Sequence, residues 1–231
     1  MATFVLVHSP AVGPATWQPV ADRLRLTGHE VVVPSLLAIA NGEPPYWPSV
    51  AATVVAALAG ADERGPLVLV AHSNAGAFLP VIAASVMQPV ECCIFADALL
   101  PAAAGSTPLA GEQFLPFLAG RAGPDGRLPR WTDWWGDADL GPLFPDEATR
   151  QAITAELPQL PLAYFRESVP VPPGWTGQRC AYLMFSEGYA EEAQRASALG
   201  WPVRFIRGEH LHQVVDPVGV ADALVGIADG G

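Results

Sequence analysis

No lysine occurs among the 231 residues, so the 12 basic side chains are all arginines, set against 23 acids. The net charge of −11 excludes the basic surface that nucleic acids and anionic membranes select, and its plain reading is solubility. Cysteine is scarce too, with three in all. Cys92 and Cys93 are neighbours in an apolar strand-like run, where they project to opposite faces and are poor disulfide partners, and Cys180 opens another run. This pattern excludes a disulfide framework or a cysteine metal site and is expected of a reduced, cytoplasmic protein. No apolar run approaches a membrane span, and Met1 to His8 lacks the basic region, long apolar stretch and cleavage site of a secretory leader. Internal repeats and low-complexity tracts are missing. Arginine without lysine, with abundant Ala, Val and Pro, points to a high-GC bacterial genome.

What is there is apolar, 51% of the residues, in a rhythm of short β-branched runs and amphipathic segments. That alternation predicts an α/β domain with a mostly parallel sheet of about six strands flanked by helices. The strands are expected at Thr3 to Val7, Glu30 to Val33, Leu67 to Ala71, Glu91 to Ala96, Cys180 to Phe185 and Val203 to Ile206, each apolar as strands covered on both faces should be. Helices are expected near Thr16 to Leu26, Trp47 to Ala59, Asn74 to Val86, Glu191 to Leu199 and Pro217 to Ile227, with Gly28 and Gly200 as stops. Residues 101–175 break the rhythm with proline, glycine, acids and three tryptophans within five residues, Trp131, Trp134 and Trp135. Such tryptophans are costly to leave in water, so this segment reads as a helical cap inserted into a core made of residues 1–100 and 176–231. Over the sheet edge it would wall an apolar pocket, although the same aromatics would equally serve as the cap's own core.

The most informative stretch is Val68-Leu69-Val70-Ala71-His72-Ser73-Asn74-Ala75-Gly76. An apolar run ending in a serine, with Ala71 and Ala75 two residues to either side, reads as a nucleophile elbow. In that sharp strand-to-helix turn the flanking residues must be small because two backbones nearly touch. A lone serine after an apolar run more often caps a helix, so the elbow needs a base at the same sheet edge. The last expected strand supplies it in Arg207-Gly208-Glu209-His210-Leu211-His212, before Asp216 and Pro217 start a helix. His210 is the expected base, His212 a residue beside it, and His72 a candidate for the floor of the site. Two carboxylates compete to orient the histidine: Asp97, leaving a strand end in an otherwise apolar run, and Glu187, in the loop after Phe185.

With these residues in order the chain resembles the α/β-hydrolase superfamily over nearly its whole length, in the branch of small esterases that contains plant methylesterases and hydroxynitrile lyases. His8-Ser9-Pro10 with Trp17 resembles the family's strand-end His-Gly-x segment, Ala71 to Gly76 its elbow, and His210 to Pro217 its histidine loop. The resemblance implies an oxyanion hole built from the N–H of Asn74 and of the residue after His-Gly. That second residue is Pro10, which has no N–H, so either the Ala11 N–H or the Ser9 hydroxyl substitutes or the reaction makes little demand on the hole. The family's aspartate would fall at Gly188, which leaves Asp97 and Glu187 both open. The expected activity is a serine hydrolase acting on an ester or thioester of a neutral, apolar small molecule, with no metal or organic cofactor. Two other readings stand beside it: a lyase on the same residues, either eliminating a carboxylate such as acetate in polyketide or other secondary-metabolite tailoring or acting like a hydroxynitrile lyase, and a non-catalytic small-molecule binder. The chain is expected as a monomer or a homodimer, with neither nucleic acid nor membrane as partner.

Overall fold

The computed structural model describes residues 2–60 and 65–230. Its strands in chain order are β1 (Thr3–Val7), β2 (Glu30–Val32), β3 (Leu67–Ser73) and β4 (Val90–Ala98), then β5 (Ser106–Pro108) and β6 (Ser168–Pro170), and last β7 (Cys180–Met184) and β8 (Val203–Phe205). Six of them form one sheet in the order β2-β1-β3-β4-β7-β8, with every neighbouring pair parallel. The order reverses between β1 and β3, and in such sheets ligands bind outside the strands' carboxyl ends beside the reversal.

The apolar alternation of each strand explains the two layers. Val5, Leu69, Ala71, Cys93 and Phe95 face one side, against Val50 and Val54 of α2 (Trp47–Ala57) and Ile82 of α3 (Leu79–Ser85). Phe4, Leu6, Val68, Val70, Cys92 and Ile94 face the other, against Leu24 of α1 (Gln18–Leu26) and Leu224 of the C-terminal helix (Pro217–Ala228). Each large side chain fully buried this way stabilises the fold by roughly 1.5 to 3 kcal/mol relative to exposure. Cys92 and Cys93 thus lie on opposite faces, and all three cysteines are free. Gly28 and Gly200 end their helices in left-handed backbone.

Three expectations need correction. The helix expected from Asn74 begins as a 3-10 turn, Asn74–Phe78, and becomes α-helical only at Leu79, where Pro80 fits a first helical turn that needs no N–H from it. β8 is not covered on both faces; it is an edge strand, with Val203 40% and Phe205 51% exposed. The segment after β4 is not purely helical. It holds α4 (Leu115–Ala119), α5 (Asp137–Leu140), α6 (Glu147–Glu156) and α7 (Leu162–Phe165), and also the antiparallel β5–β6 ribbon. Asp146 caps α6 by accepting the Thr149 N–H at 2.7 Å. Among the described residues no helix is long and apolar enough to cross a membrane.

Candidate active site

β3 ends at Ser73 in a conformation that L-residues avoid, φ 59° and ψ −132°. Such a backbone costs about 1 to 3 kcal/mol and persists only where its surroundings enforce it. Here the Leu99 N–H donates to the Ser73 carbonyl at 3.0 Å, while Ala71 and Ala75 are wholly buried. The tightest approach is at Gly76, where a Cβ would collide with the carbonyl oxygen of Leu99. The elbow therefore needs its glycine three residues after the serine and tolerates alanine two residues to either side.

Directly across from the elbow, β4 slips by one residue. His72 pairs with Ala96 and Ser73 with Ala98, so Asp97 is the extra residue of a bulge, at φ 45°. Tyr182 of β7 pins it: its hydroxyl donates to the Ala98 carbonyl at 2.9 Å and accepts the Ala98 N–H at 3.0 Å. The bulge turns the fully buried Asp97 carboxylate toward the end of β7. Oδ1 accepts the N–H groups of Phe185 at 2.8 Å and Ser186 at 3.0 Å, and Oδ2 accepts the Ser186 hydroxyl at 2.6 Å. His210 Nδ1 completes the set, 2.9 Å from Oδ2. Burial alone would raise the Asp97 carboxyl, but the hydrogen bond and charge of His210, with the Ser186 donors, hold it below its ordinary value.

Two rings lie close against His210. Tyr189 stacks on it with centroids 4.9 Å apart and planes within 5°, and His72 lies 4.5 Å away at a 34° tilt. Burial, then the neighbouring His210, push His72 down to about 3, so it is neutral. Its Nε2–H donates to the His210 carbonyl at 2.7 Å, tying the histidine loop to the elbow, while its buried Nδ1 has no partner. His8 does similar work at the end of β1. Burial lowers it to about 4, its Nδ1–H donates to the Ser9 carbonyl at 2.8 Å, and its Nε2 accepts the Leu36 N–H at 2.9 Å. That fixes the turn carrying Ser9, whose hydroxyl oxygen accepts the Ala11 N–H at 3.3 Å. The Ala11 N–H is thus engaged, and the Ser9 hydroxyl proton remains to donate.

A cavity of about 590 Å³ opens above these groups. Ser9, His72, Ser73, Asn74, Tyr189 and His210 form its polar floor; Trp131, Trp134, Trp135, Phe114 and Phe165 wall it; Ala11 also lines it; and Asp139 and Glu192 are its carboxylates. Three candidates stand apart from it. Pro10 is buried in the turn between Ser9 and Ala11 and does not line the cavity. Glu187 is exposed at the start of the 3-10 turn Glu187–Tyr189 and makes no hydrogen bond to His210, whose Nδ1 is already taken by Asp97. His212 packs on Phe185, outside the cavity lining.

Four contributors carried no assignment from sequence: Ser186, Tyr182, Tyr189 and Tyr164. The Tyr164 hydroxyl donates to Asn74 Oδ1, and Asn74 Nδ2 donates to the Leu109 carbonyl at 2.6 Å, so the residue after Ser73 is held by the segment between β4 and β7. The only signal for them is position, since Ser186 and Tyr189 follow β7 where a site loop was expected.

A parallel sheet with a strained serine at the end of its third strand and a histidine–aspartate pair beside it defines a hydrolase-like architecture, and residues 4–223 match the family model of the alpha/beta hydrolases, to which this chain belongs. No curated protein matches the sequence significantly. Among solved structures it is similar to an extracellular alpha/beta-hydrolase from a Paenibacillus species, itself described as sharing structural and functional homology with tobacco salicylic acid binding protein 2. That pair has 18% identity and a TM-score of 0.69, covering 99% of each chain. Tomato methylketone synthase I with 2-tridecanone is 16% identical at a TM-score of 0.71, covering 99% of this chain and 98% of that one. Polyneuridine aldehyde esterase is 15% identical at 0.69, over 99% and 100%. Likeness at these identities is likeness of fold.

Proposed function

We propose that the protein is a serine hydrolase that cleaves a carboxylic ester or thioester of a neutral, apolar small molecule. The observation that carries this reading is the hydrogen-bonded His210–Asp97 pair at the floor of an aromatic-walled cavity that Ser73 also lines. His210 would take the Ser73 proton as Oγ attacks the acyl carbon, then return it to the leaving alcohol or thiol; Asp97 fixes the ring so that Nε2 is the base. Asn74, first residue of a 3-10 turn, has an N–H with no partner inside the turn and would serve the oxyanion. With Pro10 unable to donate and Ala11 engaged, the Ser9 hydroxyl is the second donor. Aromatic walls favour an apolar acyl or alcohol group. The cavity lining has no arginine among the described residues, and its carboxylates Asp139 and Glu192 disfavour an anionic substrate. Three free, buried cysteines fit a reducing, cytoplasmic location.

The replaced hole donor favours one second reading, an elimination in which His210 takes a proton from the substrate and a carboxylate leaves, since no tetrahedral oxyanion then forms. Intact mass after a fluorophosphonate probe, on the native chain and Ser73→Ala, tests the hydrolase. A single adduct on the native chain alone is expected, with ester turnover of Ser73→Ala down by at least about 1,000-fold. Undiminished turnover by Ser73→Ala overturns it. In labelled water the heavy oxygen should enter the released acid; a product with a new double bond and no label would favour elimination, and tight binding without turnover a receptor.

A further inference from the structure

Ser73 Oγ lies 3.3 Å from the hydroxyl of Tyr189 and makes no hydrogen bond to His210. The same tyrosine lays its ring flat on the His210 imidazole. It comes from neither partner's element: it closes the turn Glu187–Tyr189, held by its N–H to the Ser186 carbonyl at 3.2 Å. One side chain thus touches both members of the pair through separate parts, its hydroxyl on Ser73 and its ring face on His210. Burial raises the phenol, which keeps it protonated and able to donate.

We propose that Tyr189 is a positioning residue that withholds Ser73 from His210 in the empty site while its ring holds the imidazole in place. This rests on the Ser73–His210 hydrolase reading. By donating to Ser73 Oγ, the phenol holds the serine side chain turned away from His210 Nε2, the acceptor its own proton must reach. A substrate carbonyl entering the cavity, which Tyr189 also lines, takes over the phenol's hydrogen bond and frees Ser73 to turn to the base. The two parts of the side chain then oppose each other in the empty enzyme.

The test is the rate of fluorophosphonate labelling at Ser73, with kcat and KM on a short-chain aryl ester, for the native chain, Tyr189→Phe and Tyr189→Leu, each checked by its melting curve. Tyr189→Phe keeps the ring and loses the tether on Ser73, so labelling should be about 2- to 10-fold faster and KM higher. Tyr189→Leu also loses the stack, and labelling should be about 3-fold slower or more. Opposite signs from two variants at one position are not what a packing role gives. Labelling of Tyr189→Phe at or below the native rate overturns the proposal while leaving the hydrolase standing, and so does equal slowing in both variants. Labelling seen only in Tyr189→Phe supports it. No labelling of any folded form removes the hydrolase reading, and this inference with it.

Discussion

Asp97 is a carboxylate held below its ordinary range although burial alone would raise it. Four donors converge on its two oxygens, three of them from Phe185 and Ser186. Replacement by asparagine keeps the shape but sets an NH2 donor against either the Phe185 and Ser186 N–H groups or the Ser186 hydroxyl and His210 Nδ1–H, all of which donate to the carboxylate. Asp97→Asn should therefore lower ester turnover by about 100- to 10,000-fold, with Glu187→Gln within about twofold of native; paired kcat measurements check this. The sequence made both acids visible and could not rank them. Their separation depends on a one-residue slip between β3 and β4 that turns Asp97 toward β7, and no residue type announces a bulge. That Ser73 and His210 would meet at one cavity was legible because an elbow and a loop after the last strand need only local pattern. Tyr189 was not, because its contacts with both arise from a turn folding back across two other elements.

Among elements, the elbow and the bulge form one unit, since the Leu99 N–H beyond the bulge donates to the Ser73 carbonyl. Tyr182 is its outside support. Tyr182→Phe would leave the Ala98 N–H and carbonyl buried and unpaired, so the fold should lose about 2 kcal/mol or more, read as a melting point lower by about 4 to 8 °C, with ester turnover reduced as Asp97 loses its bearing. The central strands were legible because their residues are apolar on both faces. β5 and β6 were not: each is three residues long and ends in proline, Pro108 and Pro170, which argues locally against a strand. β8 was found, but its apolar residues misled about its cover, since an edge strand keeps strand-like composition while one side stays open.

For the whole molecule, the two buried histidines set an acid limit. In the unfolded chain each would take up a proton near its ordinary value of about 6.5. In the fold His8 stays neutral down to about 4 and His72 down to about 3. Below pH 6.5 the unfolded state therefore binds more protons than the native one, and stability falls as pH falls, by up to about 1.4 kcal/mol per pH unit for each histidine. Denaturant midpoints should be level above pH 7 and decline steadily from about pH 6.5 to 4; a profile flat to pH 4.5 would contradict the burial of these rings. The exposed edge has a different consequence. His210 follows β8, the least covered strand of the sheet, whereas Ser73 and Asp97 stand on its interior strands. Amide exchange should accordingly be quickest along Val203 to Gly208 and slowest in β3 and β4. With His210 as the proposed base, fraying of this margin would cost activity while the molecule is otherwise intact, and the enzyme's useful lifetime would follow the peeling of one strand and not the collapse of its core.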